Sequence, residues 1–252
     1  MPLVVILSSH VAASDVGGAA QVVALTRLGF ATALAPTVLF GRHPGHGPPG
    51  GGPVTPEIFE GVLRGLEADG VLARADAIVT GYFAGAGQIA SAARFIDAAR
   101  AANPAVSIVV DPIMGDAPKG LYVAEEVAAA IVADLVSRAD LLAPNAWELA
   151  HLTGLSLDDP LAAARAVGRP VLVSSIDLGE RIGVLYADAE QSWLASHHRL
   201  EHAPNGTGDR LTAHFTAALL LGASPREALA DSVGTVAVSL GIDGGIQLEA
   251  LT

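Results

Sequence analysis

Residues 1–252 read as an α/β chain, a three-layer α/β/α sandwich whose mostly parallel central sheet carries helices on both faces and a hairpin at one edge. Three observations carry this reading. Short aliphatic runs alternate with segments of helical spacing, polar or glycine-bearing turns separate them, and a late pair of runs stands close enough in sequence to pair antiparallel. A length of 252 residues, 51% of them hydrophobic, suits one large domain spanning 1–252.

The elements follow in order. Residues 3–7 form an aliphatic run, and after a polar turn residues 18–28 have helical spacing stopped by Gly29. Residues 77–80 precede a helix through 89–101, residues 106–110 precede one near 125–137, residues 139–143 form another strand, and the run 171–173 ends at Ser174. Runs 182–186 and 192–195, joined across Asp188, Ala189 and Glu190, predict the edge hairpin, and residues 206–222 and 225–240 the last two helices. Between 41 and 53 nearly every residue is Gly, Pro or His, so this loop is expected to lack regular structure and to serve either as a mobile flap or as a neutral surface insertion.

Composition narrows the functions. Fourteen Lys and Arg stand against 26 Asp and Glu, and the formal charge of −12 argues against a broad surface for nucleic acid or anionic membrane. Nucleotides remain open, because backbone amides and a divalent cation can hold phosphate. With no cysteine, disulfides, thiolate metal sites and cysteine nucleophiles are excluded. Mean hydropathy is +0.48, yet no apolar run approaches the ~18 residues of a membrane span. The first residues lack a signal-peptide pattern, so the expected compartment is the cytoplasm.

The segment Asn205-Gly206-Thr207-Gly208-Asp209 before an apolar helical run is the most informative. A helix start exposes N–H groups without intrahelical partners, and these together with the helix dipole attract an anion. Asp209 beside them can take a proton from an attacking hydroxyl, as phosphoryl transfer to an alcohol requires; a plain glycine turn with an acid in the first helical turn is the competing reading. Asp111-Pro112-Ile113-Met114-Gly115-Asp116 holds two carboxylates in one turn, a pair suited to Mg²⁺, which keeps waters and completes its shell with phosphates. Asn145 and Glu148 match a capping box and equally a metal–water network near phosphates, two compatible readings. Ser8, Ser9 and His10, then Gly81 and Tyr82, then Ser174 and Ser175, each follow an aliphatic run, the position at which open α/β sheets bind ligands.

Other signals compete less well. Gly85-Ala86-Gly87-Gln88-Ile89-Ala90 fits the G-x-G-x-x-A dinucleotide fingerprint, with Asp111 near the place of a ribose-binding acid, which would make the chain an NAD-dependent oxidoreductase. Residues 81–84, however, separate the run from the glycines, where the fingerprint needs a tight turn. No Walker lysine motif is present, Lys119 lies in a flexible segment, and the histidines show no zinc spacing.

Taken in order, Ser9-His10-Val11 with Val16-Gly17 and Leu28-Gly29, Thr37-Val38-Leu39-Phe40 with His43, Thr80-Gly81-Tyr82, Asp111 to Asp116, Pro144-Asn145 with Glu148, and Gly206 to Asp209 resemble the pyridoxal kinases of the ribokinase-like superfamily. The resemblance implies a kinase that phosphorylates the 5′-hydroxymethyl of pyridoxal with ATP and Mg²⁺, aided by a monovalent cation such as K⁺, and commonly homodimeric. It implies Asp209 as general base and Gly206, Thr207 and Gly208 as the anion hole. Asp111, Asp116, Ser174, Asn145 and Glu148 would face ATP, with Asp111, Asp116 and Glu148 near the metal, partly through water. Ser9, Val16, His43 and Tyr82 would contact the pyridine substrate, Thr37 to Phe40 forming a substrate-side loop. Related hydroxymethylpyrimidine phosphate kinases tend to carry cysteine in place of the aspartate. Gly18, Pro44, Ala143, Val173 and Arg210 depart from the pyridoxal kinase pattern, leaving a kinase of a related small alcohol, such as hydroxymethylpyrimidine, or a non-catalytic nucleotide or vitamer binder as alternatives.

Overall fold

The computed structural model describes residues 1–242 and 245–252. The chain begins β1 (Leu3–Val11), α1 (Gly17–Arg27), β2 (Ala31–Phe40), β3 (Gly51–Pro53), α2 (Pro56–Ala68), α3 (Val71–Arg74), β4 (Ala77–Thr80), α4 (Ala86–Ala102) and β5 (Ser107–Val110). A small hairpin of β6 (Gly115–Asp116) and β7 (Gly120–Leu121) comes next, then α5 (Glu125–Ala130), β8 (Leu141–Leu142), α6 (Ala146–Thr153), α7 (Pro160–Ala166) and β9 (Val171–Leu178). β10 (Arg181–Ala187), β11 (Ser192–His198), α8 (Thr207–Leu220), α9 (Pro225–Ser239) and β12 (Gln247–Ala250) complete it.

One ten-stranded sheet runs β12-β11-β10-β9-β8-β5-β4-β1-β2-β3. From β2 through β9 neighbouring strands are parallel, as crossover helices require, while β3 and β10 to β12 add antiparallel edges. Side chains alternate across β1. Val5 and Leu7 pack with α2 to α7 on one face, and Val4 and Ile6 with α1, α8 and α9 on the other. Both faces are covered, which explains why the central strands read as continuous aliphatic runs.

Helix starts follow local chemistry. Thr55 caps α2 ahead of Pro56, and α6 and α9 each begin with a complete capping box, Asn145 with Glu148 and Ser224 with Glu227. Among the described helices none is long and apolar enough to cross a membrane.

Several expectations are corrected. Ser8, Ser9 and His10 lie inside β1 rather than after it, because pairing with β2 continues past an irregularity at which β2 carries the extra residue opposite Ser9. Thr37 to Phe40 belong to β2 and are not a loop. The glycine-proline stretch is not without regular structure: Pro44–His46 make a 3₁₀ turn capped by His43, and Gly51–Pro53 pair with Val38 to Phe40. The strand starting at Val171 does not end at Ser174 but reaches Leu178, with a bulge at which Ser174 and Ser175, the latter at φ +63°, together oppose Val184 of β10. The late hairpin is not the outermost pair, since β12 adds to β11. The helix expected near 125–137 narrows to α5, followed by a wider π-type turn at Ile131–Leu135 and a 3₁₀ turn at Val136–Arg138.

Phe215 anchors α8 to the sheet, fully buried with its ring centroid 5.6 Å from that of Tyr186 on β10. Truncation of so large a buried side chain leaves a cavity. Phe215→Ala is expected to lower unfolding free energy by about 3–5 kcal/mol in urea denaturation; a loss under about 1 kcal/mol would show that α8 is held chiefly by other contacts.

Candidate active site

Strand order reverses between β1 and β4, and the carboxyl ends of strands flanking such a reversal are where an open α/β sheet forms a crevice. The start of α8 faces this region. Gly206, the N-cap, has φ +86°, and a Cβ there would stand 2.0 Å from the Asp15 carbonyl oxygen, so only glycine lets the helix begin this close to the β1–α1 loop. Three residues on, Asp209 Oδ2 accepts a hydrogen bond of 2.8 Å from the Gly17 amide. Gly17 is constrained in the same way: φ is +60° and a Cβ would lie 2.0 Å from Ser9 Oγ. The expected base is thus held between backbone elements, its second oxygen, Oδ1, buried with no partner among the described residues. Burial raises the Asp209 pKa above its ordinary value, Asp15 adds to the rise, and the Gly17 amide and Arg210 oppose it. An orphaned, desolvated carboxylate oxygen beside a helix N-terminus is suited to receive a proton from a bound hydroxyl.

Asp111 leaves the end of β5 and is buried; Thr212, one turn along α8 from Asp209, donates to its Oδ2 at 3.2 Å. Desolvation holds the Asp111 carboxyl well above the usual carboxylate range, and Glu148 and Asp209 push it further. Glu148, 2% exposed, has both oxygens engaged: Oε1 accepts from the Met114 amide at 2.9 Å and the Gly115 amide at 3.4 Å, and Oε2 from the Asn145 amide at 2.8 Å. Asn145 Nδ2 donates to the Gly115 carbonyl at 2.8 Å. The cap of α6 therefore also clamps the Asp111–Asp116 turn, so capping and site organisation are the same hydrogen bonds. Burial lifts Glu148 to about 7 despite these amides.

Asp116 Oδ1 is buried without a partner among the described residues, and its Oδ2 is 3.5 Å from Lys119 Nζ. Buried, mutually repelling carboxylates with two orphaned oxygens fit a cation delivered with phosphates. Among the described residues no group of three or more His, Cys, Asp or Glu forms a ready metal cage.

Beside the ends of β4, β1 and β2, the Tyr82 amide donates to Ser8 Oγ at 3.3 Å, and Thr37 Oγ1 donates to the Tyr82 carbonyl at 2.6 Å. Gln88 pins the base of the glycine-proline segment, donating to the Thr37 and Val54 carbonyls at 2.8 and 2.6 Å. His43, at the tip, stands 3.5 Å from Asn205 Nδ2, and burial with help from His46 and Lys119 lowers its pKa. The loop therefore reaches the α8 entrance.

The structure unites Val16, Gly17 and Ser9 with Asp209, groups Asp111, Asn145 and Glu148, and sets His43 beside the residue preceding Gly206. Ser174 stands apart in side-chain contacts: its amide bonds to the Pro144 carbonyl at 3.0 Å and its backbone bridges to Asn145. Gly85 only begins α4, five residues beyond the end of β4, and Asp111 is bonded to α8, so the dinucleotide reading loses its geometry. Sequence reasoning missed the Gly17 amide as partner of Asp209, and Thr212. The helical i, i+3 spacing from Asp209 was the available signal for Thr212; no local pattern announces the Gly17 contact.

Residues 53–246 match a family model described as phosphomethylpyrimidine kinase. A pyridoxine/pyridoxal/pyridoxamine kinase of Bordetella avium is 38% identical over 237 residues, 90% of this chain and 80% of that protein. A pyridoxal kinase from Entamoeba histolytica superposes with a TM-score of 0.90 over 99% of both chains at 24% identity, a likeness of fold. A pyridoxal kinase from Leishmania donovani in complex with ADP and pyridoxine superposes with a TM-score of 0.86 at 25% identity, covering 93% of this chain and 84% of that one.

Glu148 makes stability depend on pH. An acid whose folded pKa is raised contributes its stabilisation fully below its ordinary value of 4.5, and that contribution is lost as pH rises through about 7. Urea unfolding of the nucleotide-free protein between pH 4.5 and 8 should show wild type losing stability relative to Glu148→Gln as pH rises; parallel pH curves for the two proteins would reject the assignment.

Proposed function

The chain belongs to the phosphomethylpyrimidine kinase family, and from that premise we propose that it transfers the γ-phosphoryl group of ATP to the 5′-hydroxymethyl group of pyridoxal, pyridoxine or pyridoxamine, giving ADP and the 5′-phosphate ester. The observation that carries the reading is Asp209: a shielded carboxylate with one free oxygen in the first turn of α8, held by the Gly17 amide. The vitamer assignment is supported by the names of the relatives and by aspartate, not cysteine, at this position.

In this mechanism the substrate hydroxyl gives its proton to Asp209 Oδ1 as its oxygen attacks the γ-phosphorus, and the bond to the ADP leaving oxygen breaks. The amides of Gly206, Thr207 and Gly208 face the charge on the transferring group. The β1–α1 loop fixes the carboxylate through Gly17, and Ser9, Val16, His43 and Tyr82 orient the ring. Asp111, Asp116 and Glu148 would hold Mg²⁺, partly through water, with Asn145 and Ser174 on the nucleotide side. Mg²⁺, with a monovalent ion such as K⁺, would supply neutralisation of phosphate charge. Only Lys119 approaches this carboxylate group by an ion pair among the described residues, which favours a metal-borne positive charge over a protein one. We extend the reading to one kinase domain over 1–252, acting in the cytoplasm as a homodimer; the resemblance supports it.

A second reading, phosphorylation of hydroxymethylpyrimidine, is favoured by the description of the matched family model. A panel of the three vitamers and hydroxymethylpyrimidine with ATP and Mg²⁺ separates the two by product, and binding of ATP or vitamer with no transfer to any alcohol would leave a binder rather than an enzyme. Asp209→Asn is expected to lower kcat by about 10²–10⁴ while leaving ADP affinity within a few-fold. An unchanged kcat would remove Asp209 as base.

A further inference from the structure

We propose that Arg27, Arg210 and His214 form a second binding site, for a small tetrahedral oxyanion such as inorganic phosphate or the head of a phosphate monoester, in a cavity bounded by α1, α8 and α9. The cavity has a volume of about 180 Å³ and is also lined by Asp15 and Thr235. That is well above the ~10–15 Å³ that a single water needs.

Arg210 carries unmet hydrogen-bonding capacity, and the exposed Arg27 lines the same cavity. Every other arginine of the chain donates a side-chain hydrogen bond or stacks on an aromatic ring. Arg27 and Arg210 do neither among the described residues, and both line this one cavity. Among the described residues Arg210 Nε is buried with no acceptor, and its one charged partner, Asp15, is 3.7 Å from Nη1, beyond a normal hydrogen bond. A buried guanidinium donor left empty is costly, and a forked pair of guanidinium groups is matched by an oxyanion. In a chain of net charge −12, two arginines lining one cavity run against the overall electrostatics, and His214 beside them, its pKa lowered by burial and by Arg210, adds a neutral imidazole. Asp15 opposes an anion, but its side chain is 60% exposed and its ion pair is long, so it can turn to solvent when Arg210 takes the ligand.

The site is separate from the phosphoryl cradle. Successive residues of a helix point about 100° apart, so Asp209 meets Gly17 while Arg210 turns to the cavity. The two sites nonetheless share the first turn of α8, and Arg210 favours the ionised form of Asp209. An anion that offsets the charge of Arg210 would thereby weaken that support.

The test follows the His214 imidazole by ¹H–¹³C NMR, its signal identified with His214→Gln, while inorganic phosphate is titrated into protein saturated with ADP and Mg²⁺. A saturable shift is expected, absent with chloride at matched ionic strength and at least about tenfold weaker in affinity in Arg27→Ala. Arg27→Ala, an exposed helix position away from the cradle, should keep kcat within about twofold of wild type without phosphate. A linear shift, an equal response to chloride, or undiminished affinity in Arg27→Ala would overturn the site. None of the NMR readouts requires turnover, so failure of this site and failure of the kinase reading are separately visible.

Discussion

The contact between the Gly17 amide and the Asp209 carboxylate joins residues 192 positions apart, and much of the site depends on it. It requires the β1–α1 loop and the opening of α8 to approach within backbone contact, which Gly206 permits on one side and Gly17 on the other. Through Gly17 the base is tied to Ser9, and through the helix turn it is tied to Thr212 and Asp111. Displacing either glycine by one methyl group would move the carboxylate and separate the substrate side from the nucleotide side.

The second organising feature is negative charge gathered where the protein supplies little to balance it. Asp111, Glu148 and Asp209 all have raised carboxyl pKa values, with desolvation as the largest cause in each. Alone, such a cluster costs stability, because burial penalises each charged form. The fold tolerates it by surrounding Glu148 with three backbone amides and by giving Asp111 a threonine hydroxyl. The orphaned oxygens of Asp116 and Asp209 remain, and these are the places at which a cation or a transferable proton is most useful.

Legibility in the sequence differed from segment to segment for physical reasons. The aliphatic runs of β4, β5 and β9 and the capping box at Asn145 are local patterns, and local patterns survive folding. The glycine-proline stretch lacks any period and reads as shapeless, yet β2 supplies an edge on which Gly51–Pro53 pair, and Gln88 holds the base. Ser8 to His10 look like residues beyond a strand because they are polar, but a neighbouring strand extends pairing through them. Strand ends depend on partners, and partners are distant in sequence.

What the sequence by itself determined is the layer architecture, the starts of α6, α8 and α9 and the identity of the chemical groups: Asp209 beside a glycine-rich helix opening, paired acids in one turn, and an asparagine and glutamate at a capped helix. These follow from periodicity and from backbone chemistry that acts over a few residues. Only the tertiary structure decided which oxygens are engaged and which are left open, that Glu148 clamps the Asp111–Asp116 turn, that Gly17 holds the base, and that Arg27 and Arg210 share a cavity with no side-chain hydrogen bond of their own among the described residues. Those facts rest on burial and on contacts between segments far apart in the chain, where the cost of an unmatched charge or donor is set by surroundings that no short stretch of residues contains.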